Sequence, residues 1–380
     1  MKEVVTHMPM SPRSNPELGY YGIHTQAHII SNLEGTSYFL TGNELGNKRE
    51  REIESLKMVL NDLEKLGIHP SGIWRDSDES NISFIQELVS AGVNNGLVTM
   101  ENREIFLCPC GKTEFLNLPE NLCSGSRKKT YEIEGGGIRC KVCGQQASLE
   151  RRKCLIFKLP QVEFPSINIY PPYAQEELKK HFNFFSGKGY LLSRSTPRPI
   201  AVQVDNDRFW LDVDFGWIPF IYYLQQESRL KVEVLLTGHK TLKQVALSLL
   251  VAKILGGYLP SRIIVTPYIN IDFGKRPHLK AKEFLSQNEG GVARFFLAQT
   301  LGADRKEIWL ASSEVYLIAK ALENLRGLNR PTGERLSLEH FLNRGNSCRI
   351  RGISKKLRGG KYDQLENIEQ WLLWAIIYQG

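Results

Sequence analysis

Apolar and polar positions alternate along the chain in two rhythms. Ser37-Tyr38-Phe39-Leu40 reads as a buried strand. Before it, Gly22 to Leu33 reads as a short helix with His24 and His28 at i, i+4. After it, Lys48 to Leu66 is strongly amphipathic and stops at Gly67, and Ser83 to Ala91 is a further helix. Strand and helix in alternation point to a parallel α/β sheet. Residues ~100–155 interrupt the rhythm with a cysteine-bearing insertion. It resumes with a strand at Lys231 to Thr237, Gly238, a helix from Thr241 to Leu255, and a strand at Arg262 to Pro267. From Lys282 onward the chain reads as helices, and the apolar half of Tyr362 to Tyr378 has to be docked. The expected fold is a doubly wound α/β domain of Rossmann-like type, split by an inserted knuckle and followed by a short helical tail. Its expected bounds are 1–100 and 161–310 for the two halves, 101–160 for the insertion and 311–380 for the tail. Ligands in such sheets sit beyond the carboxyl ends of the strands, where helix N-termini face phosphates.

Composition narrows this only a little. Among 380 residues, 42% are hydrophobic and 24% charged, values that exclude a disordered chain. The longest apolar run, Val245 to Leu259, is broken by Ser248, Lys253, Gly256 and Gly257, too short and too polar to span a membrane. The first residues carry no secretory pattern, so a cytoplasmic protein with no membrane partner is expected. The net charge of +8 permits nucleic-acid contact without requiring it.

Seven cysteines, an odd count without a secretory signal, argue against a disulfide framework. Four form two tight pairs, Cys108-Pro-Cys110-Gly and Cys140-Lys-Val-Cys143-Gly. The stretch between them is too polar to bury its own core, and a tetrahedral Zn²⁺ on four thiolates would order it. A glycine after each pair suits the sharp turn of a zinc knuckle. The first pair has the rarer CxC spacing, which leaves Cys123 as a substitute ligand. Four cysteines leave no open coordination position, so a zinc held there would be structural. The plainer reading is four free thiols on a hairpin.

Several segments, in order, resemble methionyl-tRNA synthetases, a family of class I aminoacyl-tRNA synthetases. FLTGNELGNK (Phe39 to Lys48) resembles the family's F-x-TG-x-DE-HG-x-K element with one residue deleted. CPCG…CKVCG followed by LIFKLPQ resembles its zinc knuckle and next strand. RFWLDVDFGW (Arg208 to Trp217) resembles YVWFDAPIGY, with Trp210, Asp212 and Gly216 in register. LLTGHKTLKQ resembles HFIGKDIxxFH, and GGVARFFLA (Gly290 to Ala298) resembles the helix after the KMSKS loop. The resemblance covers roughly residues 8–310. It implies binding of ATP with Mg²⁺ and of an amino acid.

The departures fall on the ATP elements. The family's HIGH motif aligns with Glu17-Leu18-Gly19-Tyr20, of which only the glycine survives; glycine there lets a nucleotide approach the backbone. Glu17 would repel phosphate unless Mg²⁺ or a lysine compensates. An alternative alignment uses His24 and His28. The GKD element becomes Gly238-His239-Lys240, with lysine in place of the aspartate expected at the ribose. KMSKS becomes Lys275-Arg276-Pro277-His278-Leu279, with Lys280 one place on. That loop can hold a polyphosphate, or be an ordinary basic loop. The resemblance implies catalytic roles for Lys275, Arg276 and His239, and ATP contacts from Glu17, Gly19, Tyr20, Gly238, Lys240 and His278. It places Trp210, Asp212, Asp214 and Trp217 at the amino-acid pocket, unless the tryptophans are core. Val245 stands where the family has a histidine, which takes away the ground for methionine.

About 70 residues follow the core, fewer than the family's helical anticodon-binding domain. The expected function is therefore tRNA-independent: activation of an amino acid by ATP and its ligation to a small nucleophile in specialised metabolism. Hydrazine-forming enzymes that pair a cupin with a synthetase-like half are similar; a cupin here would be a separate protein. The alternatives are a paralogue that binds an amino acid, an RNA end or a partner protein without adenylation, and an enzyme acting on a tRNA acceptor end.

Overall fold

The computed structural model describes residues 1–13, 15–45, 53–110, 113–115, 131–134, 137–141, 143–194, 197–272, 280–287, 290–300 and 306–311, with 319, 322, 352–357, 359, 361, 364–366, 369–370, 373 and 376. The chain opens with strand β1 (Lys2–His7), helix α1 (Gly22–Glu34) and strand β2 (Ser37–Gly42). Gly35, at φ 69°, ends α1 in the left-handed conformation that a side chain resists. Helix α2 (Ile53–Lys65), strand β3 (Ile73–Arg75) and helix α3 (Glu79–Asn94) follow. The sequence pattern starts α2 earlier, at Lys48; residues 46–52 lie outside the described residues.

The insertion is an antiparallel sheet. Strand β4 (Val98–Leu107) pairs with β5 (Gln146–Leu159) along its whole length, from Val98 opposite Phe157 to Leu107 opposite Ser148. The cysteine pairs lie at the far tip of this ribbon. The chain returns through β6 (Asn168–Tyr170) and α4 (Pro172–Phe185). Strand β7 (Asp207–Leu211) lies in a separate three-stranded sheet. Strand β8 (Leu230–Gly238), helix α5 (Leu242–Ile254) and strand β9 (Arg262–Thr266) then complete the parallel domain. Strand β10 (Tyr268–Asp272), helix α6 (Gly290–Ala298) and strand β11 (Glu307–Ala311) close the described core.

The central sheet has the order β3-β2-β1-β8-β9-β6, and every neighbouring pair is parallel. Parallel strands covered on both faces are apolar throughout. Val232, Val234, Leu235 and Leu236 of β8 are accordingly buried. Successive residues face opposite layers: Val5 and Val234 pack with α1, α2 and α6, Val4 and Leu235 with α3, α4 and α5. Full burial of each such side chain is worth about 1.5–3 kcal/mol. Leu365, Leu373 and Ile376 of the tail are buried in the first layer, which docks the apolar end of the chain. Among the described residues, no helix is long and apolar enough to cross a membrane.

From β1 the chain winds outward to β2 and β3; β8, arriving much later, lies on the other side of β1. The crevice between β1 and β8 is thus the topological switch point, where ligands bind in open α/β sheets.

Candidate functional site

A cleft of about 270 Å³ opens at that crevice. Met8, Pro9 and Met10 line it from the end of β1, Gly238 to Thr241 from the end of β8, and Thr266 to Ile269 from the end of β9. Arg13, Glu17, Gly19, Tyr20 and Ile23 close the remaining wall. Its walls are largely apolar, with charge brought by Arg13, Lys240 and Glu17. The Arg13 guanidinium lies 5.8 Å from the Tyr20 ring centre, and Lys240 Nζ lies 4.5 Å from that of Tyr268.

Of the residues aligned with ATP elements, Glu17, Gly19, Tyr20, Gly238, His239 and Lys240 converge here. Lys275, Arg276 and His278 lie outside the described residues. The glycine has a different local role from the one expected. A Cβ on Gly19 would stand 2.4 Å from the Ile269 carbonyl oxygen, so its bareness admits strand β10, not a nucleotide. Residues 15–17 pair with 280–281: Glu17 bridges Lys280, and the Ala281 N–H donates to the Pro16 carbonyl at 3.0 Å. Lys280 Nζ donates to the Asn15 carbonyl at 3.3 Å and does not line the cleft.

His24 and His28 do not line it either. His24 is buried in a relay beneath the cleft floor. The Met8 carbonyl lies 2.8 Å from His7 Nδ1, which therefore carries the hydrogen and leaves Nε2 bare. The Tyr38 hydroxyl donates to that Nε2 at 3.1 Å and accepts from His24 Nδ1 at 2.7 Å. His24 Nε2 has no partner among the described residues. Burial pushes His7 down to about 4, against the pull of the Met8 carbonyl, and holds His24 well below its ordinary value, with His7 adding to the effect. Both rings are neutral at neutral pH. Sequence reading missed His7, whose side-chain partner Tyr38 is distant in the chain.

His239 occupies a one-turn helix, His239–Thr241, between β8 and α5. Its Nε2 stands 2.8 Å from a Glu177 carboxylate oxygen on α4. Lys306 Nζ is 3.5 Å from the same oxygen. Burial alone would raise the Glu177 carboxyl; the His239 hydrogen bond, the neighbouring His239 ring and Lys306 outweigh it and hold the carboxyl below its usual range. No spacing in the sequence pointed to Glu177.

The residues aligned with the amino-acid pocket do not line this cleft. Trp210 is on β7, with the Arg208 guanidinium 4.3 Å from its ring centre. Asp212 is buried in an ion pair with Arg194 and accepts from the Tyr190 hydroxyl at 2.9 Å. Trp217 is buried in the second core layer. Asp214 faces Asp76, which is buried and accepts the Glu44 and Leu45 N–H groups at 2.6 and 3.2 Å. Burial pushes the Asp76 carboxyl up to about 7, against those two N–H donors, with Glu44 and Asp214 adding to the rise. Asn81 ties the Asp76 and Gly216 carbonyls together at 3.0 and 2.9 Å. Val245 is fully buried core.

At the tip of the insertion the sulfurs of Cys108, Cys110, Cys140 and Cys143 all lie within 4.8 Å of one another. Cys108 and Cys143 sulfurs are 3.3 Å apart, those of Cys110 and Cys140 3.8 Å. Sulfurs around a tetrahedral zinc at about 2.3 Å stand roughly 3.8 Å from one another, so the set fits one ion. Gly144, at φ 74°, makes the turn after the second pair. Cys123 lies outside the described residues.

A parallel sheet split by an antiparallel insertion with a four-cysteine tip, and a cleft at its switch point, is a fold similar to that of class I aminoacyl-tRNA synthetases. Within that class the fold is methionyl-tRNA synthetase-like. Mycobacterium tuberculosis methionyl-tRNA synthetase in complex with methionyl-adenylate superposes with a TM-score of 0.64 at 12% identity, covering 100% of this chain and 89% of that one. A second structure of it bound by methionyl-adenylate gives 0.64 at 13% identity, with 100% and 88% covered. The apo form gives 0.59 at 14%, with 100% and 86% covered. By sequence, no family model and no curated protein matches.

Proposed function

We propose that this protein activates an amino acid with ATP and passes the acyl group to a small nucleophile without tRNA. The observation that carries the reading is the cleft at the β1–β8 switch point, in a fold whose solved neighbours hold methionyl-adenylate. The first step is attack of the amino-acid carboxylate on the α-phosphate of ATP, with pyrophosphate leaving. Apolar walls take the adenine; Arg13 and Lys240 stand at the rim for anionic groups. In this reading Lys275 and Arg276 would neutralise the leaving phosphates, and Mg²⁺ brought with ATP would offset the repulsion from Glu17. Catalysis is then mainly positioning and charge stabilisation. Val245, where the resembled motif has a histidine, supports an amino acid other than methionine.

Binding without adenylation is the second reading. It is favoured by Glu17, a carboxylate on the wall where phosphates are expected. ATP–pyrophosphate exchange separates the two. It is run without tRNA across the twenty amino acids and a panel of N-hydroxylated and other non-standard ones. Exchange with one amino acid supports the ligase and names its substrate; none with any, in folded zinc-loaded protein, sinks the ligase.

A further inference from the structure

We infer that Glu177 and His239 form a proton-accepting dyad for the acyl-transfer step, with an amine as the nucleophile. The inference rests on the ligase reading above and assigns a role to a residue of α4 that the ATP elements do not include.

His239 lines the cleft, and its side chain is 14% exposed. An ionised carboxylate only accepts hydrogen bonds, so Glu177 fixes the ring hydrogen on Nε2. The basic nitrogen is then Nδ1, which has no partner among the described residues. The carboxylate is itself held. Lys306 reaches the same oxygen and lies 5.7 Å from the Tyr173 ring centre, and His181 Nε2 stands 4.0 Å from the other oxygen. A base whose tautomer and orientation are set by a carboxylate, on the wall of a cavity, is the arrangement that proton transfer requires.

Amine attack explains why a base is needed. The nitrogen lone pair forms a bond to the acyl carbon of the adenylate. The carbon–oxygen bond to the phosphate breaks, and AMP leaves with the electron pair. The nitrogen, now carrying one proton too many, passes it to His239 Nδ1, and the imidazolium faces Glu177 until it releases the proton to water. His239 is the catalytic residue and Glu177 a positioning residue.

The test separates the two half-reactions. With the amino acid that supports exchange, the enzyme-bound adenylate is mixed with hydroxylamine and single-turnover transfer is timed. In H239A, transfer falls about 100-fold, as expected for loss of a general base, and by a larger factor than pyrophosphate exchange does. Added imidazole restores H239A transfer severalfold and leaves its exchange rate where it was. E177Q slows transfer and E177D recovers part of the loss. Equal losses in both half-reactions, or no imidazole rescue in a variant whose circular dichroism matches wild type, overturn the dyad. No exchange by the wild-type protein overturns the ligase reading, and the dyad with it.

Discussion

The turn from Asp212 to Trp217 and the cleft wall from Gly238 to Thr241 invert what their sequences imply. The turn and the strand before it resemble a synthetase motif well, with Trp210, Asp212 and Gly216 in register. Yet Asp212 is consumed by Arg194 and Tyr190, and Trp217 is packed in the core. The cleft wall carries Lys240 where the motif it resembles has an aspartate, and its residues line a cavity with Arg13 and Glu17. A preserved motif can be preserved for the scaffold. An altered one can still sit where a ligand arrives. Experiments that strain each region in turn test this contrast.

The largest effect is expected at the turn. Asp212→Ala leaves Arg194 buried without its carboxylate and Tyr190 without its acceptor. Removing one partner of a buried pair costs about 3–5 kcal/mol, read as a fall in the denaturant midpoint. A loss under 1 kcal/mol would free Asp212 for the ligand role that its motif implies.

Much of the frame was legible in the sequence because it depends on local rhythm. The buried strand at 37–40 and the helices at 22–33 and 241–255 follow from runs that repeat at 2 or 3.6 residues, and the structure keeps them within a few positions. The cysteine spacing marked the knuckle for the same local reason. Pairings across the chain carry no such signal. His239 meets Glu177 from 62 residues away, and His7 meets Tyr38 from 31. Gly19 shows the limit of motif transfer: the glycine was found, but the neighbour that requires it, Ile269, comes from a distant strand.

Titration sharpens the contrast next, because the two regions respond to pH with opposite sign. His7, beneath the cleft, has a folded value of about 4 against 6.5 unfolded. Between those values the unfolded chain binds the proton more readily, so stability falls as pH drops, by about 1.4 kcal/mol per unit. Asp76, beside Asp214 of the turn, has a folded value of about 7 against 3.8. There the folded state holds the proton, so its contribution is present in acid and lost as pH rises toward 7. The two slopes oppose each other between about pH 4 and 6.5. His24, held well below its ordinary value beside His7, acts in the same direction as His7, so wild type should gain stability only gradually with rising pH over that range and Asp76→Asn should climb more steeply. Parallel curves for the two proteins would show that Asp76 does not bind the proton in the folded state.

A smaller effect is expected at the cleft's own scaffold. Gly19→Ala places a methyl group 2.4 Å from the Ile269 carbonyl oxygen, and backbone has to yield. Overpacking of this kind costs about 1–3 kcal/mol. Because Gly19 and Ile269 both line the cavity, the displacement should also weaken nucleotide binding, measured by calorimetry with ATP. Full stability in G19A would mean that β10 is free to shift.

The smallest effect is expected at the rim. Lys240 is exposed, with its ammonium 4.5 Å from the centre of the half-exposed Tyr268 ring. Charges in that setting act weakly and are screened by salt. Lys240→Asp reverses one of the two lysine or arginine charges, the other being Arg13, that line the cleft among the described residues, so ATP affinity should fall about two- to fivefold at low ionic strength, a range set by surface charge pairs. The difference should shrink as salt shortens the Debye length to about 3 Å at 1 M. A salt-insensitive loss would mean a direct, desolvated contact with the nucleotide. A gain in affinity would place the anionic end of the ligand at Arg13, leaving the Lys240 side to hydroxyl groups that an aspartate binds better.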